Sequence, residues 1–406
     1  MKFLHTADLH IGKSIFEFNM LEDQKYILKE ILQIARDEQV DAILLAGDIY
    51  DRSVPSTEAV QLLEWFLLEA LSIAKVFMIS GNHDSAERLS FGASLMEKSG
   101  LYIAGGKSVR EIILEDEFGK VAFHMLPFVK PAVAEASNSQ EAVVKQLEVL
   151  RSGWEEADRH ILLTHFFVCA GDKEPELSDS EQHSFVGGLE QVDTSVFAGY
   201  DYVALGHIHK PQSMKRGQIY YAGSPLCYSF SECTAAEAFS SKGVYIVELQ
   251  ADGAMSVARK VLHPMRNMRI IKGSLKELME QGTAVRERGV VGAEAASGLE
   301  QGTAVADDLE NKGAKSREAY IQAILTDKEE LIDPIGSLRS VYPNVMQIVL
   351  EKRLQEGSTP LLHGGESKLK TMEELFGSFY EALAGEPMDE ERTRVVRAVA
   401  EDVEGV

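Results

Sequence analysis

Residues 40–51 read Val-Asp-Ala-Ile-Leu-Leu-Ala-Gly-Asp-Ile-Tyr-Asp, an apolar run that stops abruptly at Gly47-Asp48. Apart from Asp41, every residue before Gly47 is apolar. A short run of this kind, bounded by a turn signal, reads as a buried parallel strand of an α/β protein. Its carboxyl end would deliver Asp48 into the crevice where such sheets bind ligands. A carboxylate there must be paired, hydrogen-bonded or bound to metal, because burying it alone is costly. Asp48 therefore calls for cations, and other segments must supply the remaining ligands.

Working outward, Lys2 to Ala7 is a short strand that ends in Asp8-Leu9-His10. Alternation along an extended chain puts Asp8 and His10 on one side, where they can share an ion. From Leu21 to Glu38 the apolar residues recur at helical spacing, predicting a crossover helix into the strand at Val40. Glu58 to Ala74 repeats that pattern, with Trp65 and Phe66 read as core. The next strand, Lys75 to Ser80, ends in Gly81-Asn82-His83-Asp84. Two later apolar runs end the same way, ILLTH at His165 and DYVALGHIHK at His207 and His209. One histidine at a strand end is ordinarily a hydrogen-bonded core or surface residue. Five metal-capable clusters at five strand ends are not explained by packing. His5, His124, His160, His183, His263 and His363 occupy none of these positions and are read as ordinary. For Asp51 two readings stand: a hydrogen bond to a ligand, or a helix cap or surface pair with Arg52.

The chain has 406 residues, room for two or three domains with a substantial core. A formal charge of −23 counts against a simple nucleic-acid-binding domain, which is usually basic on its binding face. It does not exclude a phosphodiester substrate, since divalent ions supply local positive potential. Cys169, Cys227 and Cys233 form no CxxC pair or disulfide framework, which suits a reduced compartment. With no run of eighteen apolar residues and no leader-like start, the expectation is a soluble cytoplasmic protein without membrane association.

The ordered set DLH, GDIYD, GNHD, TH and GHIH resembles the metallophosphoesterase superfamily, the calcineurin-like phosphoesterases. The longer strings HTADLHIGK, GNHDS, GHIHKPQ and YYAGSPLCYSFSE resemble, more narrowly, the SbcD family of DNA-repair nuclease subunits over roughly Met1 to Pro264. The resemblance implies an α/β fold: a four-layer β-sandwich flanked by helices, with two divalent ions, most often Mn²⁺. It places Asp8, His10 and His209 on one ion, Asn82, His165 and His207 on the other, and Asp48 between them. That donor set suits Mn²⁺ or Fe²⁺ better than a structural zinc site, which favours cysteine. His83 is left to protonate or stabilise the leaving oxygen. Asp84, next in the chain, is expected to orient that imidazole and raise its pKa. The implied activity is hydrolysis of DNA phosphodiesters, as exonuclease or endonuclease, in repair, recombination and replication. The implied partners are an SbcC-like coiled-coil ATPase, DNA and a second copy of the chain, with a nucleoid-associated location in the cytoplasm.

The rest of the chain divides by character. Residues 1–265 read as the nuclease domain, in which QIYYAGSP and GVYIVEL are expected to complete the second sheet and Ser213 to Arg216 to form a basic turn. Ala132 to Asp158 is helix-prone, and Gly171 to Ser184 is a polar loop too acidic to grip phosphate. Residues 266–352 read as a small α/β capping domain of three strands and a helix. A low-complexity insertion at about 281–315 interrupts it, where EQGTAV at 280–285 recurs at 300–305. Residues 353–406 read as a linker and two amphipathic helices; Thr371 to Ala384, with Phe376 and Phe379 on its stripe, resembles a partner-docking element. Two other functions fit parts of the pattern. A phosphatase or small-molecule phosphodiesterase would share GDIYD, although protein phosphatases of that kind carry GNHE rather than GNHD. A non-catalytic scaffold for the ATPase would not need every ligand position filled.

Overall fold

The structure, a computed structural model, describes residues 1–171, 173–178, 181, 190–215, 217–232, 242–250, 254–283, 318–327, 329, 331–351 and 392–393. Two compact units are present, Met1–Glu351 and Lys352–Val406. The repeat insertion beyond residue 283 and the C-terminal helical pair, apart from Arg392 and Thr393, lie outside the described residues.

Two six-stranded sheets make the first unit's centre. In one, the order is Met255–Val261, Gly243–Leu249, Lys2–Thr6, Ala42–Ala46, Lys75–Ile79, Leu101–Ala104. Its four strands from Lys2–Thr6 onward are mutually parallel, in register Phe3 to Ala42 and Ala42 to Lys75. In the other, the order is Gln212–Lys215, Ile219–Tyr221, Tyr202–Gly206, Arg159–His165, Gly119–Leu126, Arg110–Asp116. The run AILLA is buried along its whole length, as a strand covered on both faces must be.

The four layers follow from where each face buries its side chains. Between the sheets lie Phe3, Leu44, Ala46, Phe77 and Ile79 from one and Phe123, Ile161, Leu163, Tyr202 and Ala204 from the other. Phe77 and Phe123 stack across the gap with centroids 4.4 Å apart. The alternate residues Ile43, Leu45, Val76 and Met78 turn outward against helices Leu21–Asp37 and Thr57–Leu71, where Ile27, Leu28, Ile31 and Phe66 are buried. On the far side, helix Ser139–Leu150 covers Leu162, Val203 and Leu205 with Ala142, Val143 and Leu147. Fully burying each large side chain contributes roughly 1.5–3 kcal/mol, so this layering carries most of the stabilisation. The helices start where local chemistry satisfies their free N–H groups: Ser56 accepts from Ala59 and Asn138 from Glu141.

Two expectations are corrected. GVYIVEL completes the first sheet, pairing antiparallel with Lys2–Thr6, and not the second. Gln212–Lys215 is an edge strand of the second sheet rather than a turn. After residue 265, three parallel strands, Met268–Gly273, Tyr320–Leu325 and Val345–Leu350, form a separate sheet. Helical residues 275–283 and helix Pro334–Arg339 back it, burying Leu278 and Leu338 against Ile321, Ala323 and Val345.

Candidate metal centre

Every cluster read from the sequence sits at the carboxyl end of a strand, three from the first sheet and two from the second. The two sheets approach closely there. A Cβ at Gly206 would lie 1.9 Å from the Ala46 carbonyl oxygen, so no larger residue fits. Gly47 has φ +88° and faces the His165 ring, where a Cβ would come within 2.3 Å of Nδ1. Across the same gap the Ala46 carbonyl accepts from His165 Nδ1 at 2.8 Å. A carbonyl only accepts, so Nδ1 carries a proton and Nε2 is the ring nitrogen that faces Asp48 in the crevice.

The backbone is contorted to aim these side chains. Asp8 (φ 52°), His10 (φ 44°), Asp48 (φ 49°) and His207 (φ 101°) all sit in the left-handed region, which non-glycine residues rarely occupy. Such conformations persist only where surroundings over-determine them, and they cluster at working sites. Here Asp8 N–H donates to Gly47 O and His10 N–H to Asp48 O, both at 3.0 Å, which locks the two loops together. His207 N–H donates to Asp8 Oδ1 at 2.8 Å.

The donor atoms converge in two groups around Asp48. His10 Nε2 and His209 Nε2 are 3.1 Å apart, and with Asp8 they could hold an ion. Asn82 Oδ1 lies 3.0 Å from His165 Nε2 and 2.9 Å from His207 Nδ1. Asp48 Oδ2 is 3.8 Å from His10 Nε2 and 3.4 Å from His165 Nε2, so it faces both groups. Asp8, His165, His10 and Asp48 are at most 3% exposed. Asp8 Oδ2 and His10 Nδ1 are buried without a hydrogen-bond partner. A buried carboxylate oxygen with no donor, beside converging imidazole nitrogens, fits a divalent cation.

Burial and neighbouring charges pull these groups in different directions. Burial pushes the Asp8 carboxyl up to about 7 against the pull of His165 and His209. Burial acts on Asp48 in the same direction, but the imidazoles of His165, His10 and His83 hold it well below the usual carboxylate range. Burial lowers His10 well below the ordinary imidazole value and His207 to about 3, leaving both neutral and able to ligate. Burial disfavours charge on His165, yet Asp48 beside it raises it to about 9.

Asp84 departs from expectation. Its carboxylate accepts from the backbone N–H groups of Ile49, Tyr50 and Gly81 at 2.9–3.1 Å, which ties the GDIYD and GNHD loops together. The His83 ring is oriented instead by the Asp51 carbonyl, 2.9 Å from Nδ1, leaving Nε2 4.0 Å from Asp48 Oδ2. The His83 side chain is 41% exposed at the mouth of the crevice. The Asp51 carboxylate pairs with Lys13 at 2.6 Å and lies 3.7 Å from both His10 Nδ1 and Arg52 Nε.

Sequence reasoning missed the layer behind His209. Glu181, from the acidic loop, is buried and accepts His209 N–H at 2.5 Å. Lys242 Nζ, also buried, donates to Glu232 Oε2 at 2.5 Å, to Ser224 Oγ at 2.8 Å and to His209 O at 2.9 Å. Glu232 Oε1 is 3.6 Å from His209 Nδ1. The available signal was the isolated Glu232 and Lys242 among small and apolar neighbours. The ordinary histidines are where they were placed: His5 against the Tyr202 hydroxyl, His124 against that of Tyr200, His160 stacked on Trp154, and His263 on Glu30 at the surface. His183 and His363 lie outside the described residues.

The calcineurin-like phosphoesterase family matches residues 1–211, and the type 5 capsule protein repressor C-terminal domain matches residues 264–383. The SbcD component of the SbcCD nuclease from Staphylococcus epidermidis is 33% identical over 360 residues, covering 86% of this chain and 85% of that protein. A solved structure from Thermus thermophilus is 14% identical with TM-score 0.38, over 64% of this chain and 98% of that one. A dimetal phosphatase from Danio rerio is 14% identical with TM-score 0.39, over 66% and 98%. The fold and the convergent site thus define a metal-dependent phosphodiesterase, a hydrolase of the calcineurin-like class. Within that class the chain belongs to the SbcD family of nuclease subunits. Among the described residues no helix is long and apolar enough to cross a membrane.

Proposed function

We propose that the chain is a Mn²⁺-dependent DNA nuclease that hydrolyses phosphodiesters with two ions, as part of an SbcCD-type complex in DNA repair, recombination and replication. The observation that carries this reading is the position of Asp48 between two donor groups. Asp8, His10 and His209 would hold one ion, and Asn82, His165 and His207 the other, with Asp48 shared. Ions bound there supply Lewis-acid polarisation of phosphoryl oxygens and a lowered pKa for water. The chain's own residues do the rest. Asp84 keeps the two ligand loops in register through three backbone bonds. The Asp51 carbonyl holds His83 by Nδ1 with Nε2 on the Asp48 side, from which a protonated imidazole would give its proton to the leaving oxygen.

The same reading assigns residues 1–265 to the nuclease domain, 266–352 to the cap and 353–406 to the segment that docks on the SbcC-like ATPase. It places the protein in the cytoplasm, associated with the nucleoid. An assay of the purified chain with Mn²⁺ on linear duplex DNA, a phosphopeptide and a small bis-ester tests the function. Cleavage of DNA and bis-ester but not of the phosphopeptide is expected; turnover of the phosphopeptide alone would overturn it.

A homodimer is supported by the segment after GNHD. Phe91, between helices Ala86–Leu89 and Ala93–Met96, is 83% exposed and Leu95 80%, so two neighbouring large apolar side chains face solvent. Leu95→Asp should convert the dimer to monomer in sedimentation velocity. An unmodified chain that sediments as a monomer at micromolar concentration would remove this assignment.

A further inference from the structure

The first turn of helix Leu21–Asp37 carries a buried polar residue that the proposed chemistry does not use. Gln24 is 2% exposed, and its amide is engaged with the loop that bears His10. Oε1 accepts Gly12 N–H at 3.0 Å; Nε2 donates to His10 O at 2.7 Å and lies 3.1 Å from the Tyr228 hydroxyl. That hydroxyl donates to Leu9 O at 2.6 Å, and the Tyr228 ring meets the His10 ring edge-on at 5.6 Å. Leu9 O, His10 O and Gly12 N–H are thus met by Gln24 or Tyr228.

The loop needs such support. His10 at φ 44° and Gly12 at φ 91° both lie in the left-handed region, which is strained for a residue with a Cβ such as His10. A side-chain amide is suited to the place because it donates and accepts from one planar group. Glutamate would lack the donor and leucine both functions. We propose that Gln24, assisted by Tyr228, is a positioning residue that locks the His10 turn and so aims the imidazole at an ion shared with Asp8 and His209. This rests on the reading of those three as ligands. The neighbouring Asp23 provides an internal control, since it anchors the same helical turn to Tyr320 (2.8 Å) and Arg266 (2.7 Å), away from the loop.

The test is calorimetric titration of Mn²⁺ into the unmodified full chain, Gln24→Leu, Tyr228→Phe and Tyr320→Phe, with thermal unfolding of each in EDTA. Loss of an outer support of a ligand typically weakens metal affinity by about 10- to 100-fold. That loss is expected for one of the two ions in Gln24→Leu, with a smaller loss of the same ion in Tyr228→Phe. Tyr320→Phe should lower the unfolding temperature without changing either affinity. Two ions bound by Gln24→Leu at unmodified affinity would overturn the proposal, as would an equal loss in Tyr320→Phe, which would trace the effect to a loosened helix. Should Gln24→Leu fail to fold in EDTA, Tyr228→Phe decides alone, and unchanged affinity there overturns it. An unmodified chain that takes up no Mn²⁺ would overturn the ligand reading, and this inference with it.

Discussion

Asp48→Ala is expected to abolish phosphodiester hydrolysis and to leave fewer than two divalent ions bound per chain. Asp48 Oδ2 faces His10 on one side and His165 on the other, at 3.8 and 3.4 Å, so a single carboxylate serves both donor groups. Its other oxygen accepts His83 N–H at 2.9 Å and thereby shapes the GNHD loop. Alanine also fits the φ of 49° poorly, so Asp48→Asn is the better-controlled variant. Asparagine tolerates the left-handed region and keeps the side chain's shape while losing its charge. Both variants should fail together, and metal analysis beside a Mn²⁺-dependent assay measures this. Two ions retained with activity in Asp48→Asn would show that Asp48 is not shared between them.

His83→Ala should behave in the opposite way with respect to metal. Both ions are expected to remain while the rate on DNA falls by roughly 10²–10⁴, the usual worth of a positioned proton donor. The reason is geometric: the ring is held at Nδ1 by the Asp51 carbonyl, its side chain is 41% exposed, and its Nε2 faces Asp48 Oδ2 at 4.0 Å. A bis-ester with a good leaving group needs no proton on departure, so its hydrolysis should suffer much less. The geometry also contains the opposing possibility. His10, Asp48 and His83 offer donor atoms within 4.8 Å of one another, a spacing compatible with ligation. If the variant lost an ion, or if both substrates slowed equally, His83 would be a ligand and not the acid.

What the sequence determined by itself is whatever depends on short-range pattern. Apolar runs that end in Asp8, Asp48, Asn82, His165 and His207 predict strands and the residues at their ends, because a buried strand must be continuous and a polar residue at its close must be exposed to a crevice. Helix Leu21–Asp37 follows from its apolar spacing, observed as buried Ile27, Leu28, Ile31, Leu32 and Ala35. Only tertiary structure decided the rest. GVYIVEL has the same strand pattern whichever sheet it joins; its choice of Lys2–Thr6 is a pairing across more than 200 residues. Asp84 was assigned to its neighbour His83 because adjacency is visible in a sequence, whereas the backbone N–H groups it binds are not. Glu181 looked like part of a solvated acidic loop, and Gln24 like an ordinary polar residue of an amphipathic helix. Composition does not distinguish a carboxylate or amide in water from one folded inward against the backbone of a ligand. That distinction exists only once distant segments have closed around His10 and His209.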